Sequence, residues 1–226
     1  KAANKILNNS KYIDYNLFGT VTGRLSTYPG SFPMLTMNKE LRMLVKPQND
    51  WFVSLDYNGA EARTVLSLLN IEQPDCDVHE WNLKNILSSN VKTRDEAKKT
   101  FFSWLYNPES KTIQSSLYDR DKLIEKHYEN EFVNTPFGRK IKVDKYKALN
   151  YLIQSTTADL VNDRAVQIDR LLQGKKSFVS HIVHDEVVVD LHDDDRAMVR
   201  DIEKVFSNNK IGKYVTNIKA AKNYYD

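Results

Sequence analysis

Residues 178–191, FVSHIVHDEVVVDL, place two β-branched runs on either side of the tripeptide His184-Asp185-Glu186. Runs of Val and Ile favour a pleated, half-buried backbone, so the segment predicts a hairpin with acids at its tip. A second acid is placed in the same way. WFVSLDY, residues 51–57, reads as a strand in which Asp56 stands next to last, and NGAEARTVLSLLN, 58–70, follows with helical composition. A carboxylate at the end of a buried strand is costly unless it is paired or binds a cation. Two carboxylates brought together can ligate Mg²⁺, a hard cation that seeks oxygen. A pair of such ions about 4 Å apart can activate an attacking hydroxyl and stabilise the leaving oxygen of a phosphate. Spacing alone does not bring Asp56 and Asp185 together, and either one alone also reads as a capping or turn residue.

The remaining segments are interspersed rather than alternating. An aromatic and β-branched stretch at 11–18 predicts a strand, Thr93 to Leu105 a helix, and 112–130 a polar helical stretch. Pro136 and Gly138 between β-prone flanks predict a hairpin or turn over 133–143. From Asp144 to Leu172 apolar residues recur at helical spacing, and a last helix over about 194–207 precedes a short terminal strand. Strands and helices mixed with hairpins favour an α+β class over a doubly wound parallel sheet. With 226 residues, 41% of them hydrophobic, the chain can bury a sizeable core in one or two domains.

Composition excludes some classes and leaves one open. Cys76 is the single cysteine, so no intrachain disulfide forms and a reducing compartment is expected. No run of about 18 apolar residues is present, which argues against a helical membrane span, and the opening KAANKILNNSKY lacks the apolar core of a secretory signal. The 33 basic and 30 acidic residues leave a net charge of only +3, which neither supports nor excludes a nucleic-acid partner. The chain opens with Lys rather than Met, so an excised piece of a longer protein is expected.

RDEAKKTFFSWLY supplies a further clue. Arg94, Lys98, Phe102 and Tyr106 are spaced by four and form one slowly drifting stripe along a helix. Its cationic half suits phosphate oxygens, and its aromatic half offers a stacking face to a base. The competing reading is an ordinary amphipathic helix whose aromatic half is core.

Several motifs in order resemble family A DNA polymerases, the group of bacterial DNA polymerase I and its phage relatives. TVTGRLST at 20–27 is similar to TATGRLSS, and DYNGAEAR at 56–63 to the first catalytic motif DYSQIELR. The Arg94 to Tyr106 spacing matches the fingers helix RxxxKxxxFGxxYG, and GRK at 138–140 echoes a GRRR turn. NYLIQSTTADLV at 150–161 resembles the NxxxQGTAADI helix, and VHDEVV at 183–188 the third motif. The resemblance spans residues 12–191.

The resemblance implies an α+β polymerase palm with an antiparallel sheet and flanking helices, plus a reduced helical fingers subdomain. It assigns 1–70 and 133–226 to the palm and 71–132 to the fingers, with thumb and exonuclease domains absent. Asp56 and Asp185, with the carbonyl of Tyr57, are expected to hold two Mg²⁺ ions, with Glu186 as a supporting acid. Glu61 is expected to pack under the incoming sugar and exclude a 2′-hydroxyl. Arg94 and Lys98 would bind the triphosphate, Lys98 also protonating the departing pyrophosphate. Phe102 would lie against the sugar, Tyr106 beside the nascent base pair, and His79, in DVHEWN, on the triphosphate. Arg24, Asn150, Gln154 and His184 would line the DNA minor groove, where pyrimidine O2 and purine N3 look alike across correct pairs.

The implied activity is template-directed addition of deoxynucleotides to a primer 3′-hydroxyl. Primer-template DNA and dNTPs are the expected partners, with a thumb/exonuclease region or a separate accessory subunit. A bacterial cell or phage-infected host cytoplasm is the expected location. The rivals are a non-catalytic DNA-binding or assembly module and a single-subunit RNA polymerase. Among the departures from the pattern, Ser103 and Asn107 replace glycines, Gly59 replaces Gln, and Tyr146 replaces Arg. The stretch between Tyr106 and Gly138 is short for the family.

Overall fold

The computed structural model of the chain describes residues 9–87, 90–113 and 115–224. Residues 1–8, part of the opening segment read for a secretory signal, lie outside that description. The expected strand over 11–18 is reduced to β1 (Tyr15–Asn16), paired antiparallel with β2 (Ser26–Thr27). Asn16 explains the early stop: its side-chain oxygen accepts from Phe18 N–H, an Asx turn that removes the backbone from the ladder.

The segment 51–57 forms β3 (Trp51–Tyr57), followed directly by α1 (Ala60–Leu68). Helix α2 (Val78–Asn85) and α3 (Arg94–Tyr106) come next; Thr93 and Glu96 close α3 with a reciprocal capping box. The helical expectation over 112–130 shrinks to α4 (Arg120–His127). Upstream, the hydroxyls of Ser110 and Ser115 accept from Thr112 N–H and Leu117 N–H, giving the backbone a local alternative to helix. Strands β4 (Tyr128–Glu129), β5 (Phe132–Asn134) and β6 (Lys140–Lys142) form a small antiparallel sheet around the Pro136–Gly138 turn.

Helix α5 (Lys145–Leu171) runs 27 residues, and the acid-bearing hairpin forms as β7 (Phe178–Val183) and β8 (Glu186–Leu191). A 3-10 turn over Asp193–Met198 leads into α6 (Val199–Ser207), where the sequence predicts one continuous helix. Short strands β9 (Asn208–Asn209) and β10 (Gly212–Lys213) precede β11 (Thr216–Ala221). The class is mixed α and β with antiparallel sheets. Among the described residues no helix is long and apolar enough to cross a membrane.

The chain divides into two compact units: 1–57, 158–208 and 216–226 form the first, and 58–157 with 209–215 the second. The first is built on a four-stranded sheet in the order β11-β3-β8-β7. Alternation along β3 buries Val53, Leu55 and Tyr57 on one face. Tyr57 stacks on Phe206 of α6 at 4.2 Å and donates its hydroxyl to the Phe206 carbonyl. That packing fixes β3 and so the position of Asp56. The second unit has its own core, in which Val65, Leu66, Phe101, Trp104, Leu123, Leu152 and Ile153 meet.

Candidate active site

In the first unit the β3–β8 register sets Asp56 opposite Glu186, and β11 places Asn217 on the other side of Asp56. Directly opposite residues of antiparallel strands lie about 4.5–5.5 Å apart at Cα, so the ladder itself brings Asp56 to the acid tip of the hairpin. Asn217 Nδ2 donates to Asp56 Oδ2 at 3.4 Å. A cavity of about 760 Å³ is lined by Asp56, His184, Asp185, Glu186, Arg42 and Asn217, among others. The two aspartates that spacing could not join are thus brought to one cavity by strand pairing.

His184 and Asp185 form a two-residue loop, with Val183 paired to Glu186 across it. His184 sits at φ +59°, the left-handed region that costs a side chain of order 1 kcal/mol or more. Glu186 is held from outside the sheet: Tyr224 donates its hydroxyl to Glu186 Oε2 at 2.6 Å. The Tyr224 ring meets the edge of buried His181 at 4.7 Å and lies under the Arg42 guanidinium at 5.1 Å. Burial, and then the Glu186 carboxylate, push the Tyr224 hydroxyl well above its ordinary range, so it stays a donor at all working pH values. Arg24 is exposed in the loop where Thr20 Oγ1 bonds its carbonyl; it does not line the cavity.

Asp56, Asp185 and Glu186 bring three carboxylates to one cavity, although among the described residues no group of three or more His, Cys, Asp or Glu side chains is placed to hold a metal ion by itself. Mg²⁺ binds through one or two carboxylates and completes its shell with water and phosphate oxygens.

In the second unit α3 resolves the two readings of its stripe. Ala97, Phe101, Trp104 and Leu105 form its buried side, while Arg94 and Phe102 are partly exposed and Lys98 and Tyr106 are exposed. Of the aromatic half, Tyr106 is outside the core, while Phe102 packs against its edge. Phe102 and Tyr106 stack nearly parallel, 5.6 Å apart at 7°, and Tyr106 donates its hydroxyl to Glu61 Oε2 at 2.7 Å. Glu61 is 8% exposed at the start of α1, so this bond fixes a carboxylate that would otherwise be costly to bury.

Arg94 pairs with Asp77, a residue the sequence reading passed over. Nε and Nη2 both reach Asp77 Oδ2, at 2.9 and 2.8 Å. Asp77 Oδ1 also caps α2 by accepting from His79 and Glu80 N–H. Burial raises the Asp77 carboxyl, but the bonds from Arg94, Asn58 and Glu80 outweigh it and hold the group well below the usual carboxylate range. The spacing Asp77-x-x-Glu80 was a readable capping signal; only the histidine inside it was singled out.

His79 is 2% exposed, with its ring 6.3 Å from Phe102 and 6.0 Å from Phe101. It also explains Gly59. A Cβ there would stand 2.4 Å from Val78 Cγ1 and 3.3 Å from His79 Nε2, and Gly59 has φ +68°, so the Gln of the resembling motif has no room. Asn150 and Gln154 lie half-buried on α5, and Asn150 Oδ1 is buried without a hydrogen-bond partner. Among the described residues, neither meets another predicted site residue of this unit by a hydrogen bond.

Burial lowers His79 to about 4, and burial followed by the Arg42 charge lowers His181 to about 4, from an ordinary 6.5. Both are neutral in the folded chain at pH 7. As pH falls the unfolded chain takes up these protons first, so stability present above pH 6.5 is lost down to about pH 4. Between pH 7 and 5 each histidine should cost about 1–2 kcal/mol. Urea unfolding at the two pH values measures it, and His79→Gln should remove its share. An unchanged midpoint would rule out two buried neutral histidines.

No protein-family model matches the chain, and no curated protein sequence matches it. Among solved structures it is similar to the polymerase domain of Pol1 from M. smegmatis, in complex with DNA primer-template and dNTP. The TM-score is 0.74 at 14% identity. The match covers 98% of this chain and 50% of that one, so the chain spans half the length of the structure it matches. At that identity the likeness shows the fold: the chain has the fold of part of a DNA polymerase domain.

Proposed function

We propose that the chain is the palm and fingers region of a family A DNA polymerase, carrying out template-directed transfer of deoxynucleotides to a primer 3′-hydroxyl. The observation that carries this reading is the cavity lined by Asp56, Asp185 and Glu186, three carboxylates from motifs that resemble the family's in order. The solved neighbour was captured with primer-template and dNTP, which supports DNA and nucleotide as partners here.

Asp56, Asp185 and the Tyr57 carbonyl would hold two Mg²⁺ ions. When bound, such ions supply Lewis-acid activation of a hydroxyl and offset charge on a leaving phosphate. The protein's own residues do the rest. Arg94 and Lys98 bind the triphosphate, and their fixed positive charge favours the charge that builds on departing pyrophosphate. The primer 3′-hydroxyl gives up its proton to solvent as its oxygen bonds to the α-phosphorus; the bond to the pyrophosphate oxygen breaks, and Lys98 protonates that oxygen and is reprotonated from solvent.

Glu61, locked by Tyr106, lies against the sugar and selects the deoxy form. Phe102 positions the sugar, and Tyr106 abuts the base pair. His79, 2% exposed beside Phe101 and Phe102, would support the stripe from behind rather than touch the triphosphate itself. Arg24, Asn150, Gln154 and His184 test minor-groove acceptors, which reports pair shape without reading sequence. A thumb/exonuclease region or an accessory subunit would complete the grip on duplex.

Primer extension tests the reading directly. Wild-type protein, alone and with a thumb region supplied in cis, is expected to extend a primer with dNTPs and Mg²⁺ and to reject rNTPs. No incorporation in either form would sink the polymerase reading in favour of a binding module; rNTP preference would favour an RNA polymerase.

A further inference from the structure

Arg94 is the first member of the exposed stripe, yet its guanidinium is already engaged from one side. Nε and Nη2 converge on the single atom Asp77 Oδ2, while Nη1 is left 3.7 Å from the exposed carboxylate of Asp95. Asp77 in turn has almost no freedom. Its Oδ1 accepts two backbone N–H groups of α2, and its Oδ2 also accepts from Asn58 Nδ2 at 2.8 Å. Asn58 Oδ1 accepts from Val78 N–H at 2.9 Å, and the Asn58 carbonyl accepts from the buried Arg63 Nε at 2.7 Å. The Asp77 side chain is 19% exposed and that of Arg94 41%, so the pair is half shielded from solvent.

An arginine on a helix surface spreads over many rotamers, and any ligand that uses it must first order it. Here a fixed carboxylate orders it in advance. The pairing uses the Nε/Nη2 edge and leaves the Nη1 hydrogens directed away from Asp77. A guanidinium can serve two acceptors at once through its separate edges.

We propose that Asp77 is a positioning residue for Arg94, holding the guanidinium by one edge so that the other edge is presented, already ordered, to a nucleoside triphosphate. The inference rests on the reading of Arg94 as a triphosphate ligand. It goes beyond it by assigning a role to Asp77 and, behind it, to Asn58. A plain helix cap would need only Oδ1; the Arg94 and Asn58 bonds to Oδ2 are what the cap does not explain.

Asp77→Asn separates the two functions, because Asn caps a helix as well as Asp but cannot form the charged fork. Asp77→Ser does the same with a different cap, should the first variant fold poorly. The experiment is calorimetric titration with dATP and Mg²⁺ of wild type, Asp77→Asn, Arg94→Ala and the double variant, with urea midpoints for each. Asp77→Asn is expected to weaken dATP binding about 3- to 10-fold, the range of a direct side-chain coupling. Its urea midpoint should stay close to wild type. In the Arg94→Ala background the same change should have no further effect on binding, which a merely structural role would not produce.

Unchanged or tighter binding in Asp77→Asn overturns the proposal, as does an equal loss with and without Arg94. If Arg94→Ala weakens dATP but Asp77→Asn does not, Asp77 alone is misassigned. If wild type and Arg94→Ala bind dATP equally, or wild type does not bind it, the triphosphate reading of Arg94 falls and takes this inference with it.

Discussion

Asp185→Asn is expected to abolish primer extension, lowering the rate on the order of 10³-fold, the scale seen when a preorganised charge is lost from phosphoryl or acyl transfer. The change keeps the shape of the side chain and removes its negative charge. It should leave the fold intact, because Asp185 occupies a two-residue loop and makes no side-chain hydrogen bond among the described residues. Glu186 behaves differently. It accepts from Tyr224 at 2.6 Å, and an amide oxygen can still accept that bond. Glu186→Gln should therefore cost far less than Asp185→Asn, since the resemblance gives it a supporting place. Single-turnover extension by the two variants, with circular dichroism as a fold control, measures the contrast. Equal losses, or an active Asp185→Asn, would remove Asp185 from the chemistry.

Much of that site was legible because it depends on local sequence. The β-branched runs around His184-Asp185-Glu186 and the strand carrying Asp56 each specify their own geometry, and hydrophobic alternation fixes which residues face the core. Strand register then joined the two aspartates; no spacing along the chain encodes that pairing. The stripe on α3 was readable as a period of four, but its exposure was not. That depended on Ala97, Phe101, Trp104 and Leu105 covering the opposite side. Contacts between distant residues were out of reach. Tyr106 meets Glu61 across 45 positions, and Tyr224 meets Glu186 across 38, and neither sequence neighbourhood hints at the partner. Gly59 looked like a lost polar side chain and proves to be a steric necessity imposed by Val78 and His79. Asp77 was missed for a different reason: its capping signal was visible, but a cap alone does not reveal an arginine 17 residues away.

The largest structural effect is expected at Arg63, the last residue of DYNGAEAR. Its side chain is fully buried, and among the described residues no carboxylate is bonded to it. Instead Nε donates to the Asn58 carbonyl at 2.7 Å, Nη1 to the Pro74 carbonyl at 2.8 Å and Nη2 to the Cys76 carbonyl at 2.6 Å. Gln73 closes the arrangement from the other side, donating to the Arg63 carbonyl and to Ser67 Oγ. The guanidinium thus organises the chain from Gln73 to Cys76, which delivers Asp77 to the start of α2. Burial lowers the Arg63 pKa from its ordinary value, with nearby Cys76, Tyr214 and Asp77 opposing, but an arginine remains charged at pH 7. Arg63→Met relieves the cost of burying charge yet leaves three carbonyls without their donor. With hydrogen bonds to a charged group worth about 1.5–3 kcal/mol each and part of the loss offset by removing the charge, a net destabilisation of about 3–5 kcal/mol is expected. Arg63→Lys should recover little of it, because an ammonium cannot reach three carbonyls spread around a planar fork. Urea unfolding decides the matter: a midpoint for Arg63→Met within about 1 kcal/mol of wild type would mean that the loop is held by its other contacts. If the loss is as large as argued, Arg63→Met in mild conditions should also weaken dATP binding, because the path from Arg63 through Asn58 and Asp77 ends on Arg94.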